Sequence, residues 1–440
     1  MKYPRSPQPT EPAEVTEAEA EYPRSGRTDP PPKADTAGNE RGTVEKNTAP
    51  AQGSGPGRLD GVDLARWIAI AGMLVVHFWV PFMDPERPIA HLIEQYAWGR
   101  STLVFAFVAG VSLALLSGGR RPHTGRRGGI TAKRVAVRGA ALMLIGWALN
   151  AVIVAAESHL TVIITYYGLY FLLAIPFLRM AAPWVATAAA ASLIIGPQLL
   201  FALRHSSETG GWMADFAGFW NEIDPAQLLV HQGLLELLVY GFYPALSCLA
   251  AVLAGIAVGR LDLRSEVVRL RLACAGMLAA FVAYRGSWHA WETWGIVWEL
   301  GPREEVSGPV PTDDARWLLS SMSHTSTAPE VLGGIGVAAV LLVGCLYAAE
   351  RLPRLVAPFT AAGALALTVY VLHALLLAWQ ETVGEESGRM AYWVNGNASE
   401  VFFVFAVVGA FLWRRTVGRG PLEAGVSQLS KVVVRDRGQG

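Results

Sequence analysis

The sequence predicts an all-α, polytopic integral membrane protein with about ten transmembrane helices, and three observations carry that prediction. Of the 440 residues, 52% are apolar and only 16% charged, a balance expected of a chain whose main solvent is lipid. Apolar stretches of about 17 residues or more, enough to cross roughly 30 Å of hydrocarbon, recur from Leu64 to the C-terminal region. The basic residues concentrate in alternate connections between those stretches, as they do where positive loops stay on the cytoplasmic side.

Taken in order, residues 1–57 are rich in Pro, Glu, Thr, Gly and Ala and show no apolar period. They cannot bury enough surface to offset the entropy of ordering, so they are expected to form a disordered cytoplasmic tail. No basic start leading into an apolar core precedes Leu64, so the first apolar helix is expected to remain in the membrane. The membrane domain, 58–416, is read as spans at 64–83, 101–117, 135–156, 161–178, 181–203, 237–259, 270–288, 331–349, 356–379 and 396–413. Arg285 interrupts the seventh and Asn395, Asn397 and Glu400 stand at the start of the tenth, so eight or nine spans remain an alternative. Residues 417–440 are read as a cytoplasmic C-terminal tail.

Charge location supports this division. The connection 118–138 carries seven Lys/Arg and no acid, 260–271 carries four Arg, 350–354 two, and the chain after Trp413 six. The alternate connections, 84–100, 204–236, 285–330 and 381–398, together hold seven Arg against eighteen Asp/Glu. Both termini are therefore expected inside. The two longest outer connections contain Trp212, Trp220, Trp288, Trp291, Trp294, Trp298 and Trp317. Headgroup anchoring is the plain reading of these rings, and a lid over an outward cavity the sharper one.

Several function classes are disfavoured at once. With 36 Lys plus Arg against 36 Asp plus Glu there is no basic excess, so no nucleic-acid partner is expected. Cys248, Cys274 and Cys345 lie inside apolar runs without ligand spacing, and neither a disulfide framework nor a metal site is expected. No HExxH, Walker, GxSxG or dinucleotide glycine pattern occurs. Arginine outnumbers lysine 31 to 5 in an Ala- and Gly-rich chain, which suggests a high-GC bacterium and hence its plasma membrane.

Ionisable residues in or beside a span are costly unless paired or lining a polar cavity, so they are the candidates for chemistry. Asp63 and Arg66 sit one turn apart at the cytoplasmic end of the first span. They are read either as a local ion pair or as part of an anion site. His77 follows three turns up, about 16 Å higher, and is either an interhelical hydrogen bond or a catalytic imidazole. His91 lies on the first outer connection, where an imidazole could remove a proton from an amine or hydroxyl or could simply be solvated.

The basic inner loop, including Arg134 and Arg138, either enforces topology or joins Arg66 in holding phosphates. Arg100, Asn150 and Tyr167 are candidate donors to a developing oxyanion. His324 precedes the eighth span as a solvated side chain or a substrate contact, with Thr325, Ser326 and Thr327 expected to cap that helix. His373, on the ninth span, is expected to make a buried hydrogen bond between helices.

In order along the chain stand Arg58, Asp63, Arg66, Gly72, Met73, His77, Gly99, Arg100, Phe105, Gly110 and Ser112. They are followed by Tyr166, Tyr167, Gly168, Tyr243, Pro244, Gly255, Gly259, Arg260 and Asp262. This succession resembles the heparan-alpha-glucosaminide N-acetyltransferase catalytic-domain family and its YeiB-like bacterial relatives. The Asp, Arg and His spacing of the first span is also similar to the acyltransferase-three membrane O-acyltransferases. His324 to Thr327, Leu332, Gly333, Gly336, Thr368, Tyr370 and His373 continue the likeness, and Gly420, Pro421, Leu422 and Glu423 resemble the YeiB-like closing signature.

The resemblance implies acyl transfer across a membrane. Cytosolic acetyl-CoA or another acyl-CoA serves as cosubstrate with no tightly bound cofactor, and an amino sugar, glycan or other small molecule is the acceptor. His91 matches the position of the family's active-site histidine, although the Asn and Gly that follow it in the lysosomal relatives are not reproduced. His77 fits the acyltransferase-three position. A transporter or exporter, and a noncatalytic YeiB-like protein, are the competing readings, and a homo-oligomer is left open.

Overall fold

The computed structural model describes residues 59–79, 99–301, 308–383 and 389–434. The expected N-terminal tail at 1–57 and His91 lie outside the described residues. Every regular element among those described is helical.

Helix α1, Asp60–Trp79, begins with Asp60 and Asp63, whose charges suit the positive end of the helix dipole. It is followed by α2, Arg100–Leu116, and the 31-residue α3, Gly125–Ala155. The fourth expected span is instead a ten-residue helix, α4, Ile164–Leu173, which Pro176 turns into a 3-10 segment at Ile175–Arg179. Helix α5, Ala182–Glu208, leads to two short helices, α6, Trp212–Ile223, and α7, Pro225–Val230. Asp224 separates them and caps α7 by accepting the Ala226 and Gln227 amides.

The sixth expected span also starts late. A π turn at Glu236–Tyr240 precedes Pro244, after which α8 runs Ala245–Gly259. Helix α9, Glu266–Thr293, carries through Arg285, whose guanidinium lies 4.2 Å over the Trp288 ring. After α10, Ile296–Leu300, and a 3-10 turn at Ala315–Leu319, α11 spans Ala328–Arg351. The ninth expected span is two helices, α12, Pro353–Ala364, and α13, Ala366–Val383, bent by 69°. Helices α14, Arg389–Thr416, and α15, Pro421–Val433, complete the described chain.

This is a membrane protein, but its spans are less uniform than the sequence suggests. Among the described residues five helices (α1, α3, α5, α9 and α11) are long and apolar enough to cross a bilayer, and counting bent pairs raises this to seven. Helices α2, α4 and α8 are apolar but have 17, 10 and 15 residues. At 1.5 Å per residue α4 and α8 reach only about 15 and 22 Å, short of the roughly 30 Å of hydrocarbon. Irregular backbone at such breaks is tolerated where protein surrounds it or a polar cavity adjoins it.

The short helices occupy the interior. Helix α2 packs along α8, α4 along α3, and α1 against α2, α11 and α12. The α2–α8 crossing is backbone on backbone. A Cβ on Gly255 would stand 1.9 Å from the Phe107 carbonyl oxygen, and one on Gly110 2.0 Å from that of Val252. Small residues at such a crossing allow the close van der Waals packing that joins helices in lipid. Helix α9 faces outward with Leu270, Leu278 and Phe281 each more than 60% exposed, as a lipid-facing helix does.

Candidate functional site

At the α1–α12 crossing the Gly363 carbonyl lies against the first turns of α1, and the site begins there. Arg66 donates through Nη1 to Asp63 Oδ1 at 2.6 Å and to the Gly363 carbonyl at 3.0 Å, and through Nη2 to Ser112 Oγ at 2.8 Å. Asp63 is buried, so this ion pair is held by three elements rather than floating at a surface. The expected local pair of Asp63 and Arg66 is present, and Arg66 and Ser112 also line a cavity of about 480 Å³.

That cavity has a basic end and an apolar body. Arg138 of α3, Arg414 of α14 and Arg419 between α14 and α15 join Arg66 in its lining, and Phe105, Leu142 and Phe171 are among its apolar walls. Arg138 Nε donates to Ser430 Oγ at 3.4 Å, while Arg134, one turn away, is absent from the lining. Glu423 sits there too, but its carboxylate accepts the Leu367 and Thr368 amides at 2.8 and 3.0 Å and the Thr368 hydroxyl at 2.6 Å. It thereby caps the start of α13 and spends its charge on the helix dipole.

A second chamber, of about 40 Å³, adjoins the first and shares Met73, Ile163 and Tyr370 with it. His77 and His324 both line it, with Thr102 and Tyr243. His373 stands behind His77, fully buried on α13. His77 Nδ1 lies 3.1 Å from His373 Nε2, and His373 Nδ1 lies 2.5 Å from the Tyr370 main-chain oxygen. A carbonyl can only accept, so His373 Nδ1 carries a proton. With both rings neutral, His373 Nε2 is then an acceptor, His77 Nδ1 the donor, and His77 Nε2 is left with a bare lone pair. The expected interhelical hydrogen bond of His373 is thus present, and it orients a basic nitrogen.

His324 is not the freely solvated loop side chain that was one expectation. Its ring is half-buried and packs edge-on to Tyr243 and Phe242, with centroids 5.3 and 5.9 Å away. Burial lowers its pKa to about 4, so the imidazole is neutral. Glu330 fixes this segment by accepting the His324 and Ser326 amides at 2.5 Å each. Of the three expected capping residues, Thr327 caps α11 through the Glu330 amide, whereas Thr325 hydrogen bonds the Glu330 carboxylate at 3.2 Å.

The three expected oxyanion donors are engaged elsewhere. Tyr167 lines the large cavity, but its hydroxyl donates to the Thr102 carbonyl at 2.8 Å. Arg100 Nε donates to the Tyr284 hydroxyl at 3.1 Å, with its guanidinium 4.8 Å over that ring. Asn150 donates to the Val230 carbonyl, and neither Arg100 nor Asn150 lines either chamber. The tryptophans of the 204–236 and 285–330 connections line neither chamber as well. Trp212, Trp294 and Trp298 are largely exposed, and Trp291 packs on Trp317 at 5.4 Å.

Arg414, Arg419 and Tyr370 were not singled out as site residues from the sequence. The first two belong to a basic C-terminal segment whose plain reading is topology, and only the bend between α14 and α15 brings them to the cavity. Among the described residues no group of three or more His, Cys, Asp or Glu could hold a metal ion.

Residues 58–290 match the family described as heparan-alpha-glucosaminide N-acetyltransferase, catalytic, and residues 310–430 match a family described as protein of unknown function (DUF418). No curated protein matches the chain significantly.

Proposed function

The chain belongs to the heparan-alpha-glucosaminide N-acetyltransferase catalytic family, and from that premise we propose that it is an acyl-CoA-dependent membrane acyltransferase. In this reading acetyl-CoA, or another short acyl-CoA, enters from the cytoplasm, and an amino sugar or related small acceptor is acylated from the opposite face. One observation supports it most: a basic, apolar-walled cavity adjoins a histidine-lined chamber, the two sharing Met73, Ile163 and Tyr370 in their linings.

The chemistry of a CoA thioester fits that polarity. Its phosphates call for guanidinium groups, which Arg138, Arg414 and Arg419 offer at one end, while the pantetheine arm and acyl group suit the apolar body. Arg66, already pinned by Asp63 and Ser112, acts as part of the wall and contributes positive field. In the smaller chamber His77 Nε2 takes the proton of the acceptor's amine or hydroxyl as nitrogen or oxygen attacks the thioester carbon. His373 holds the ring and stabilises the imidazolium that forms. The basic end is taken as cytoplasmic, with both termini on that side of a bacterial plasma membrane and about ten crossings, some of them built from short or interrupted helices.

The test is thiol release by the purified protein in liposomes, with acetyl-CoA at the arginine face and a panel of amino sugars at the other. Acceptor-dependent CoA release is expected, and His77→Ala should reduce turnover by about 100-fold or more, the usual share of a general base. His91→Ala in the same assay decides whether the histidine of the first outer connection, favoured by the resemblance, is needed as well. Movement of solute without thiol release would sink the transferase reading in favour of an exporter.

A further inference from the structure

Three side chains form the wall between the two chambers, and of Met73, Ile163 and Tyr370 only Tyr370 brings a hydrogen-bond donor to it. Its phenol is 4% exposed. The hydroxyl oxygen accepts the Ile163 amide at 3.0 Å, which fixes the ring in the wall and occupies one lone pair. No acceptor for the Tyr370 hydroxyl proton stands among the described residues. Its neighbours differ: Tyr167 gives its proton to the Thr102 carbonyl at 2.8 Å and Tyr170 gives its own to the Tyr243 carbonyl at 2.6 Å. Tyr370 is therefore the tyrosine on the large cavity that retains a proton to offer.

The same residue organises the base. Its main-chain oxygen receives the His373 Nδ1 proton, and the His373 ring packs edge-on to the Tyr370 ring with centroids 4.7 Å apart. One residue thus fixes the His373–His77 hydrogen-bond direction through its backbone and presents a donor to the junction of the chambers through its side chain. A buried, preoriented donor of this kind acts where a carbonyl oxygen gains charge.

Resting on the acyl-transfer reading, we infer that Tyr370 is a catalytic residue that hydrogen bonds the carbonyl oxygen of the acyl thioester and the oxyanion it becomes. The step balances within the named groups. The acceptor's lone pair forms a bond to the carbonyl carbon, the C=O π pair moves to oxygen under the Tyr370 O–H, and His77 Nε2 takes the acceptor's proton. Collapse restores C=O and breaks C–S, and the departing CoA thiolate receives that proton from His77. Tyr370 keeps its own proton throughout.

Tyr370→Phe in the full-length protein in liposomes tests this, since the ring and the main-chain carbonyl are retained. With acetyl-CoA and the acceptor that supports wild-type turnover, kcat is expected to fall about 100-fold, the usual effect of losing one oxyanion donor, with KM for acetyl-CoA within about twofold. A kcat within threefold of wild type overturns the assignment while leaving the transfer reading intact. A wild-type protein that releases no thiol overturns both. Should the phenylalanine variant fail to fold, 3-fluorotyrosine at 370 serves instead: it strengthens the donor, so kcat should change at constant KM, and an unchanged kcat overturns the role.

Discussion

His324 and Ser326 carry φ angles of 64° and 56°, in the left-handed region that L-residues seldom occupy. Such strain persists only where surroundings over-determine it, and here the buried Glu330 carboxylate, taking both amides and the Thr325 hydroxyl, supplies that constraint. The result is an imidazole set over the chamber that His77 also lines. Its folded pKa, about 4, is below the unfolded value near 6.5. The folded state therefore favours the neutral ring: the stability this contributes is complete above pH 6.5 and is lost as pH falls from 6.5 towards 4. Thermal unfolding in detergent across pH 4 to 7 should show a shallower acid limb for His324→Asn than for wild type, and superimposable limbs would refute it. The histidine and its cap were visible in the sequence. That Thr325 and the His324 and Ser326 amides bind a carboxylate instead of solvent was not, because the pairing depends on a turn whose angles no residue type announces.

At the level of elements, the site depends on how closely α1 and α12 approach. A Cβ at Gly363 would stand 1.8 Å from the Asp63 carbonyl oxygen, so the crossing admits no side chain, and the Gly363 carbonyl reaches Arg66 only because of it. Gly363→Ala must part the two backbones, at a cost of about 2 kcal/mol or more, as expected for overpacking a rigid contact. A lower melting temperature in detergent, with a raised KM for acetyl-CoA as Arg66 loses an anchor, is the expected result; an unchanged melting curve contradicts the close contact. Element identity was largely legible in the sequence. Pro176 and Pro244 mark interruptions that a hydropathy window averages away, so α4 and α8 come out shorter than the apolar runs that contain them. The 69° bend between α12 and α13 falls at Leu365, two residues after Gly363, inside an apolar run that a hydropathy window reads as continuous.

For the whole molecule, the arginines at the basic end of the cavity come from α1, α3, α14 and the segment joining α14 to α15, positions up to 353 residues apart in Arg66 and Arg419. If these guanidinium groups bind CoA phosphates, Arg419→Gln should raise KM for acetyl-CoA about tenfold, since hydrogen bonds between charged groups contribute on the order of 1.5 kcal/mol or more. Raising salt should raise the wild-type KM in the same sense by screening the mouth. An unchanged KM in both experiments would remove Arg419 from donor binding. By itself the sequence determined the environment and the family: apolar runs must leave water, and the order of motifs carries the family. Only the tertiary structure decided which polar groups share a cavity. Helix rotation and bending set that, and in lipid they follow from close backbone crossings and buried hydrogen bonds rather than from hydropathy, which looks alike on every apolar face.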